Sequence, residues 1–122
     1  MIDWKSIDHV TLTIPESAEE EAREFYTSLL GFDEVPRPES FSSGGGMWFR
    51  AGGVELHISV EDGEHPRSKR HPAFEIGNVN EVRSYLEKKG FETQDEPPIS
   101  GIERFSFRDP FENRIELLTI SE

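Results

Sequence analysis

The sequence predicts an α+β fold in which one strand–helix–strand–strand–strand unit occurs twice. Apolar and polar residues alternate in several short segments, as they do in half-buried strands. Two other segments have helical spacing of apolar residues between a polar start and a terminal glycine. The same order of segments returns after about sixty residues, which is the signature of an internal repeat.

The first unit begins with a strand and a helix. SIDHVTLTIP alternates with a period of two, and this pattern puts His9 on the more polar face of the strand. In the following segment Ser17 is the predicted N-cap of a helix, because Glu20 lies three residues later at capping-box spacing. An apolar stripe then continues to Gly31, where we expect the helix to end.

Three further strands complete the first unit. FDEVP predicts a short strand, and residues 36–46 are rich in Pro, Ser and Gly, which predicts an irregular connection. MWFRA and GVELHISV predict two strands joined by a hairpin at Gly52 and Gly53. The last of these strands carries Glu55 and His57 on one face.

The second unit repeats this order. Residues 61–70 are polar and turn-rich, so we interpret them as a connector. HPAFEI predicts a strand, and NVNEVRSYLEKKG predicts a helix with Asn78 and Glu81 at capping-box spacing and Gly90 at its end. FETQ, RFSFR and NRIELLTI predict the last three strands.

The two units align through landmarks at nearly constant separation. These are His9 and His71, Gly31 and Gly90, Phe49-Arg50 and Phe107-Arg108, and Glu55 and Glu116. The alignment of the last strands also places His57 over Leu118. Each half therefore offers one histidine on its first strand and one glutamate on its last.

The length of 122 residues suits one compact domain, residues 1–122. We divide this domain into a first module, residues 1–60, the connector, residues 61–70, and a second module, residues 71–122.

Composition excludes several classes of function. The formal net charge of −12 would repel the phosphate backbone, so nucleic acid is not an expected partner. The absence of cysteine rules out disulfides and thiolate ligands, and leaves histidine and carboxylates as metal ligands. No apolar run is long enough for a membrane span, and no secretion signal is present, so we expect a cytoplasmic protein.

Several of these segments together resemble a known family. DHVTLTI, EFYTSLLGF, VELHI, HPAF and RDPFENRIELL are similar to the vicinal oxygen chelate superfamily, which includes glyoxalases, bleomycin-resistance proteins and extradiol dioxygenases. The resemblance covers essentially the whole chain. It implies two tandem βαβββ modules whose strands form an incomplete barrel around a cleft, and we expect a homodimer.

The resemblance also implies a set of metal ligands. Family members that bind a metal take ligands from the first and fourth strands of each module, here His9, His71, Glu116 and either Glu55 or His57. Fosfomycin-resistance enzymes and extradiol dioxygenases use two histidines and one glutamate, which correspond to His9, His71 and Glu116. Imidazole and carboxylate ligands suit Zn, Ni, Mn or Fe, and the identity of the ion stays open. Metal-free members exist, so the absence of a metal is the alternative.

This ligand set suggests a reaction class and further site residues. A bound ion could polarise a small oxygenated substrate, and we expect a metal-dependent lyase or isomerase of the glyoxalase type, or a thiol-adding resistance enzyme. Glu55 is the candidate general base, and the candidate substrate-binding residues are His57, Trp48, Arg50 and Phe105. Packing is the competing role for the aromatic residues. The alternative function is non-catalytic sequestration of a small molecule, as in bleomycin resistance.

Overall fold

The computed structural model describes residues 1–41 and 44–121. The chain forms two compact units, an N-terminal unit, Met1–His65, and a C-terminal unit, Pro66–Glu122. Within the described ranges, no helix has the length and apolar character that a membrane crossing requires.

The N-terminal unit is a four-stranded open sheet with one helix. Its strands are β1 (Val10–Ile14), β2 (Asp33–Val35), β3 (Met47–Ala51) and β4 (Val54–Val60), in the sheet order β1-β4-β3-β2. Helix α1 (Glu19–Glu24) continues as a π-helical segment, Phe25–Leu29. β1 runs parallel to β4, and the other pairs are antiparallel. The predicted irregular connection contains one 3-10 turn, Glu39–Phe41, and its residues 42 and 43 lie outside the described ranges.

The C-terminal unit has the same topology. Its strands are β5 (Ala73–Glu75), β6 (Thr93–Asp95), β7 (Ile102–Arg108) and β8 (Arg114–Ile120), in the order β5-β8-β7-β6, and its helix is α2 (Val79–Lys88). β5 is parallel to β8. The predicted α+β class and the tandem βαβββ order are confirmed.

Each sheet has one apolar face, which its helix covers, and one polar face. In the N-terminal unit the ring of Tyr26 stacks on Phe49 of β3, and both are fully buried. In the C-terminal unit α2 packs against β6, β7 and β8 over the buried side chains of Phe105, Phe107 and Leu117. Because side chains alternate along a strand, the residues between these apolar positions form the opposite, polar face.

The start of α1 differs from the prediction. Ala18 is the N-cap residue and no side chain caps the helix, so the prediction of Ser17 as N-cap is wrong. Ser17 instead has a φ of 66°, in the left-handed region, which places it in the turn before the helix. Helix α2 has the predicted N-cap residue, Asn78, but its side chain donates to the Glu81 carboxylate at 3.2 Å instead of capping the backbone.

Ser17→Gly is expected to raise the free energy of unfolding by up to about 1 kcal/mol. Left-handed φ costs an L-residue more than the extra unfolded-state entropy that glycine brings. Urea unfolding of the wild type and the variant measures the difference. If Ser17 were a side-chain cap, glycine would instead lower the stability by a few tenths of a kcal/mol.

Strand pairing corrects the repeat alignment at β4. His57 and Glu116 both occupy the centre of the last strand of their unit, and each faces one partner on the first strand and one on the third: Thr11 and Trp48 for His57, Ala73 and Ser106 for Glu116. The first-strand partners, Thr11 and Ala73, are as far apart along the chain as His9 and His71 are. The third-strand partners, Trp48 and Ser106, are as far apart as the two Phe-Arg landmarks are. His57, not Glu55, is therefore the positional counterpart of Glu116. A slip of two residues leaves every side chain on the same face, so alternation could not reveal it.

Candidate metal centre

The polar face of the C-terminal unit brings a histidine and a buried glutamate together. His71 comes just before β5 and Glu116 lies at the centre of β8, with His71 Nε2 and Glu116 Oε1 at 2.9 Å. Glu116 is only 4% exposed. The carbonyl of Pro72 accepts the Glu116 backbone N–H at 3.0 Å, so the proline holds the end of β5 against β8 without needing an N–H of its own.

Hydrogen bonding fixes which nitrogen of His71 faces the carboxylate. The Nδ1–H donates to the carbonyl of Lys69 at 2.9 Å, and a carbonyl can only accept. If Nε2 carries no proton, its lone pair faces the Glu116 carboxylate oxygen, which likewise can only accept a hydrogen bond. A cation must lie between these two atoms, and either a proton or a metal ion can serve.

Arg104 of β7 is the second partner of Glu116. Its Nη1 lies 3.0 Å from Glu116 Oε2, and its Nη2 donates to the Pro97 carbonyl at 2.7 Å. Burial raises the pKa of Glu116, but the hydrogen bonds from Arg104 and His71 outweigh this effect and hold the pKa below the usual 4.5. Glu116 is therefore an anion at neutral pH. Arg104 Nε is buried and lacks a partner among the described residues.

Glu96, just after β6, is a third possible ligand that the sequence analysis missed. One ligand atom each from His71, Glu96 and Glu116 lie within 4.8 Å of one another. Glu96 forms an ion pair with Arg114, which also donates to the Lys69 carbonyl at 3.3 Å. The sequence offered one signal for Glu96, the alternation of Glu, Gln and Glu in residues 92–96. The comparison of the two repeats did not point to it, because the first half has no acidic residue at the position that matches Glu96.

The polar face of the N-terminal unit carries a different arrangement around Glu55. One carboxylate oxygen binds Arg50 Nη2 at 2.9 Å and the other binds His57 Nε2 at 3.0 Å. The hydrogen bonds from Arg50, and then from His57, lower the pKa of Glu55. A lowered pKa makes the carboxylate a weak proton acceptor, which favours a positioning role over that of general base.

A stack of rings encloses His57. Its ring is parallel to Trp48, at 3.9 Å and 1°, and to His9, at 3.9 Å and 18°. The rings of Phe41 and Trp48 are also in contact, at 5.3 Å between centroids. His9 lies just before β1, and its Nδ1 is 2.9 Å from Asp8 Oδ2. Both faces of the His57 ring are covered, so only its edge can reach a ligand, and the ring sets the orientation of His9.

The predicted site residues therefore divide by unit. The N-terminal unit groups His9, Trp48, Arg50, Glu55 and His57 on its polar face, and the C-terminal unit groups His71 with Glu116. Phe105 is 1% exposed and lies on the helix-covered face, next to Phe107. This position does not support the predicted substrate-binding role, because Phe105 packs in the core.

Glu55→Gln is expected to make stability less sensitive to acid. A carboxyl group with a lowered folded-state pKa contributes stability above its usual pKa, and this contribution is lost as the pH falls through the folded-state value. Urea unfolding should show a larger difference between wild type and variant near pH 7 than near pH 3. Glu21→Gln, at an exposed position, is the control. An equal difference at both pH values would contradict the assigned hydrogen bonds.

Comparisons with known proteins agree with this fold. Residues 6–117 match the Glyoxalase/Bleomycin resistance protein/Dioxygenase superfamily. No curated protein matches the chain significantly. Among solved structures, a protein assigned to the glyoxalase family from Bacillus anthracis is 39% identical, with a TM-score of 0.90 over 99% of this chain and 100% of that one.

Two structures of the fosfomycin resistance protein FosX from Listeria monocytogenes are also similar. The complex with Mn(II) and sulfate is 20% identical, with a TM-score of 0.77 over 98% of this chain and 93% of that one. A mutant complex with Mn(II) and 1S,2S-dihydroxypropylphosphonic acid is 22% identical, with a TM-score of 0.77 over 98% and 95%. At this identity the likeness shows the fold alone. The match over residues 6–117 establishes that the chain belongs to the Glyoxalase/Bleomycin resistance protein/Dioxygenase superfamily.

Proposed function

We propose that the protein is a metal-dependent enzyme that acts on a small oxygenated compound, with His71 and Glu116 as metal ligands. The observation that carries this proposal is the contact between His71 Nε2 and Glu116 Oε1 at 2.9 Å, a histidine nitrogen and a carboxylate oxygen close enough to bind one ion. The Lys69 carbonyl fixes the outer nitrogen of His71, which is the usual arrangement behind a metal-bound imidazole.

The donor set fits a divalent ion. Two ligands that each bind a metal at about 2.1 Å, at right angles, are about 3 Å apart, which matches the separation of these two atoms. Glu96 can supply a further carboxylate. Imidazole and carboxylates accept Zn, Ni, Mn or Fe, and FosX supports this choice because it binds Mn(II). When bound, such an ion would act as a Lewis acid on a substrate oxygen.

The side chains around the ligands would prepare this site for substrate. Arg104 holds the second oxygen of Glu116 and so leaves the first oxygen directed toward His71. Arg114 restrains Glu96 in the same way. Because both arginines are also tied to backbone carbonyls, the carboxylates keep their orientation before any ligand arrives.

Two reaction classes follow from the relatives. The similarity to a glyoxalase family protein favours a lyase or isomerase, and the similarity to FosX, a fosfomycin resistance protein, favours the thiol-adding resistance enzyme expected from the sequence. In either case the substrate carries oxygen atoms that can bind the ion. The general base is not assigned by this proposal, since Glu55 has a lowered pKa.

One observation favours a second candidate, a metal-free binding protein. Both carboxylates of the cluster already have a cationic partner, Arg104 for Glu116 and Arg114 for Glu96. The cluster could therefore be a structural ion-pair network, and the protein could sequester its ligand without catalysis.

Reaction assays on metal-loaded protein separate these candidates. The panel contains a hemithioacetal and fosfomycin with water and several thiols, each measured after addition of Mn, Ni, Zn or Fe. We expect turnover that requires a metal and is lost in Glu116→Gln but kept in Glu75→Gln, which changes an exposed glutamate of β5. Metal-independent binding of these compounds, without turnover, would favour the sequestration candidate.

A further inference from the structure

A groove of about 720 Å³ lies beside the turn between β7 and β8, and all of its described lining residues belong to the C-terminal unit. Ser106 and Gln94, which pair between β7 and β6, are among its lining residues and lie on the polar face of the sheet. Ser106 is directly opposite Glu116 in the strand pairing, so the groove begins next to the candidate metal ligands. A substrate that reaches the metal could extend into it.

Three arginines line this groove, and they differ in how their charge is balanced. Arg67 pairs with the Glu112 carboxylate, and Arg114 pairs with Glu96. Arg108 donates to two backbone carbonyls, those of Glu112 at 2.8 Å and Ser68 at 3.0 Å. Among residues 1–41 and 44–121, no carboxylate forms an ion pair with Arg108. Carbonyls fix the direction of a guanidinium but leave its positive charge uncompensated.

The backbone around Arg108 is held in a strained conformation. Glu112 has a φ of 76°, which an L-residue other than glycine adopts only at a cost, and it directs its carbonyl to Arg108. Strain of this kind persists where the surrounding structure enforces it, and it often accompanies ligand binding. The carboxylate of the same residue restrains Arg67. Glu112 thus places two arginines on one groove.

We propose that this groove binds an oxyanion, with Arg108 as its principal anchor. The chain has a net charge of −12, so anions are repelled by most of its surface. The groove is less acidic, because its three arginines balance the carboxylates of Glu92, Asp109 and Glu112. Arg108 is the arginine of this lining that forms no ion pair within the described residues, so its guanidinium is the one available to an anion. Phosphate, phosphonate and carboxylate groups all present the oxygen pair that a guanidinium recognises. The inference that this anion is part of the substrate rests on the proposed function. The inference that the groove binds an anion does not depend on the proposed function. The substrate is then an acid whose other oxygens reach the metal.

Titration of metal-free, 15N-labelled protein tests the site. Inorganic phosphate, methylphosphonate and acetate are added at constant ionic strength, with chloride as the balancing ion, and backbone and arginine Nε signals are followed by NMR. We expect saturable shifts confined to the segments that line the groove, which are Arg67, residues 90–94, and residues 106–114 of β7, β8 and their turn. A preference for phosphate and methylphosphonate over acetate would identify a phosphoryl or phosphonyl group as the ligand, and a preference for acetate would identify a carboxylate.

Variants with opposite expected effects complete the test. Arg108→Gln should weaken phosphate binding at least tenfold, because the anchor is gone. Glu112→Gln should tighten it several-fold, because it frees the charge of Arg67. Arg23→Gln, which removes an arginine that pairs with Glu34 in the N-terminal unit, should change nothing.

Several results would overturn the anion site. They are shifts that do not saturate, shifts that chloride reproduces, and unchanged affinity in Arg108→Gln. If Arg108→Gln does not fold, Glu112→Gln decides the question, since unchanged affinity there contradicts the charge assignment. Metal content is measured on the same preparations, so loss of the anion site is distinguishable from failure of the proposed metal site.

Discussion

Glu116→Ala is expected to lower the free energy of unfolding of the metal-free protein by about 3 kcal/mol, because it leaves Arg104 largely buried without its carboxylate. Removal of one member of a buried ion pair costs far more than the pair itself contributes. Urea unfolding in the presence of a chelator measures the change. Glu116→Gln keeps the shape and one hydrogen-bond acceptor, so we expect a smaller loss.

Glu75→Ala provides the matched control for this experiment. Glu75 is an exposed glutamate at the end of β5 in the same sheet, and its loss should change stability by no more than about 0.5 kcal/mol. If Glu116→Ala lowers the free energy of unfolding as little as Glu75→Ala does, the ion pair of Arg104 and Glu116 does not stabilise the contact between β7 and β8.

His71→Ala is expected to weaken divalent metal binding by at least about 100-fold, since loss of a ligand should exceed the 10- to 100-fold effect of losing an outer-shell partner. The change removes the only imidazole within the cluster of His71, Glu96 and Glu116. Calorimetric titration of apo protein with Mn or Zn measures the affinity. Circular dichroism of the variant shows whether the sheet is intact.

His65→Ala is the control for the metal titration. His65 hydrogen-bonds only the Glu61 carbonyl among the residues that the structure describes, and it lies outside the cluster. Its replacement should leave metal affinity within about threefold of the wild type, because it touches no proposed ligand. If His71→Ala also stays within that range, His71 is not a ligand.

The sequence predicted the order of strands and helices because alternation and glycine stops are local signals. The predicted start of α1 was wrong because the spacing of Ser17 and Glu20 fits a capping box whatever backbone conformation the serine adopts. The alignment of Glu55 with Glu116 was wrong because it depends on strand pairing. Pairing is a long-range property, and a shift of two residues preserves the alternation.

The candidate site was only partly accessible from sequence. His71 and Glu116 were predicted from the family resemblance, and the structure places them in contact. Glu96 and Arg104 could not be predicted, because their role depends on which side chains meet across neighbouring strands. The stack of Trp48, His57 and His9 depends likewise on ring orientation. The homodimer and the cytoplasmic location stay predictions.

The proposed function depends first on a metal ion bound by the pair of His71 and Glu116. Elemental analysis of protein loaded with Mn, Ni, Zn or Fe and then desalted tests this binding most directly. We predict about one equivalent of one of these ions per chain, and loss of that ion in both His71→Ala and Glu116→Gln. Less than about a tenth of an equivalent of every ion in the wild type would contradict the claim and leave a metal-free binding protein.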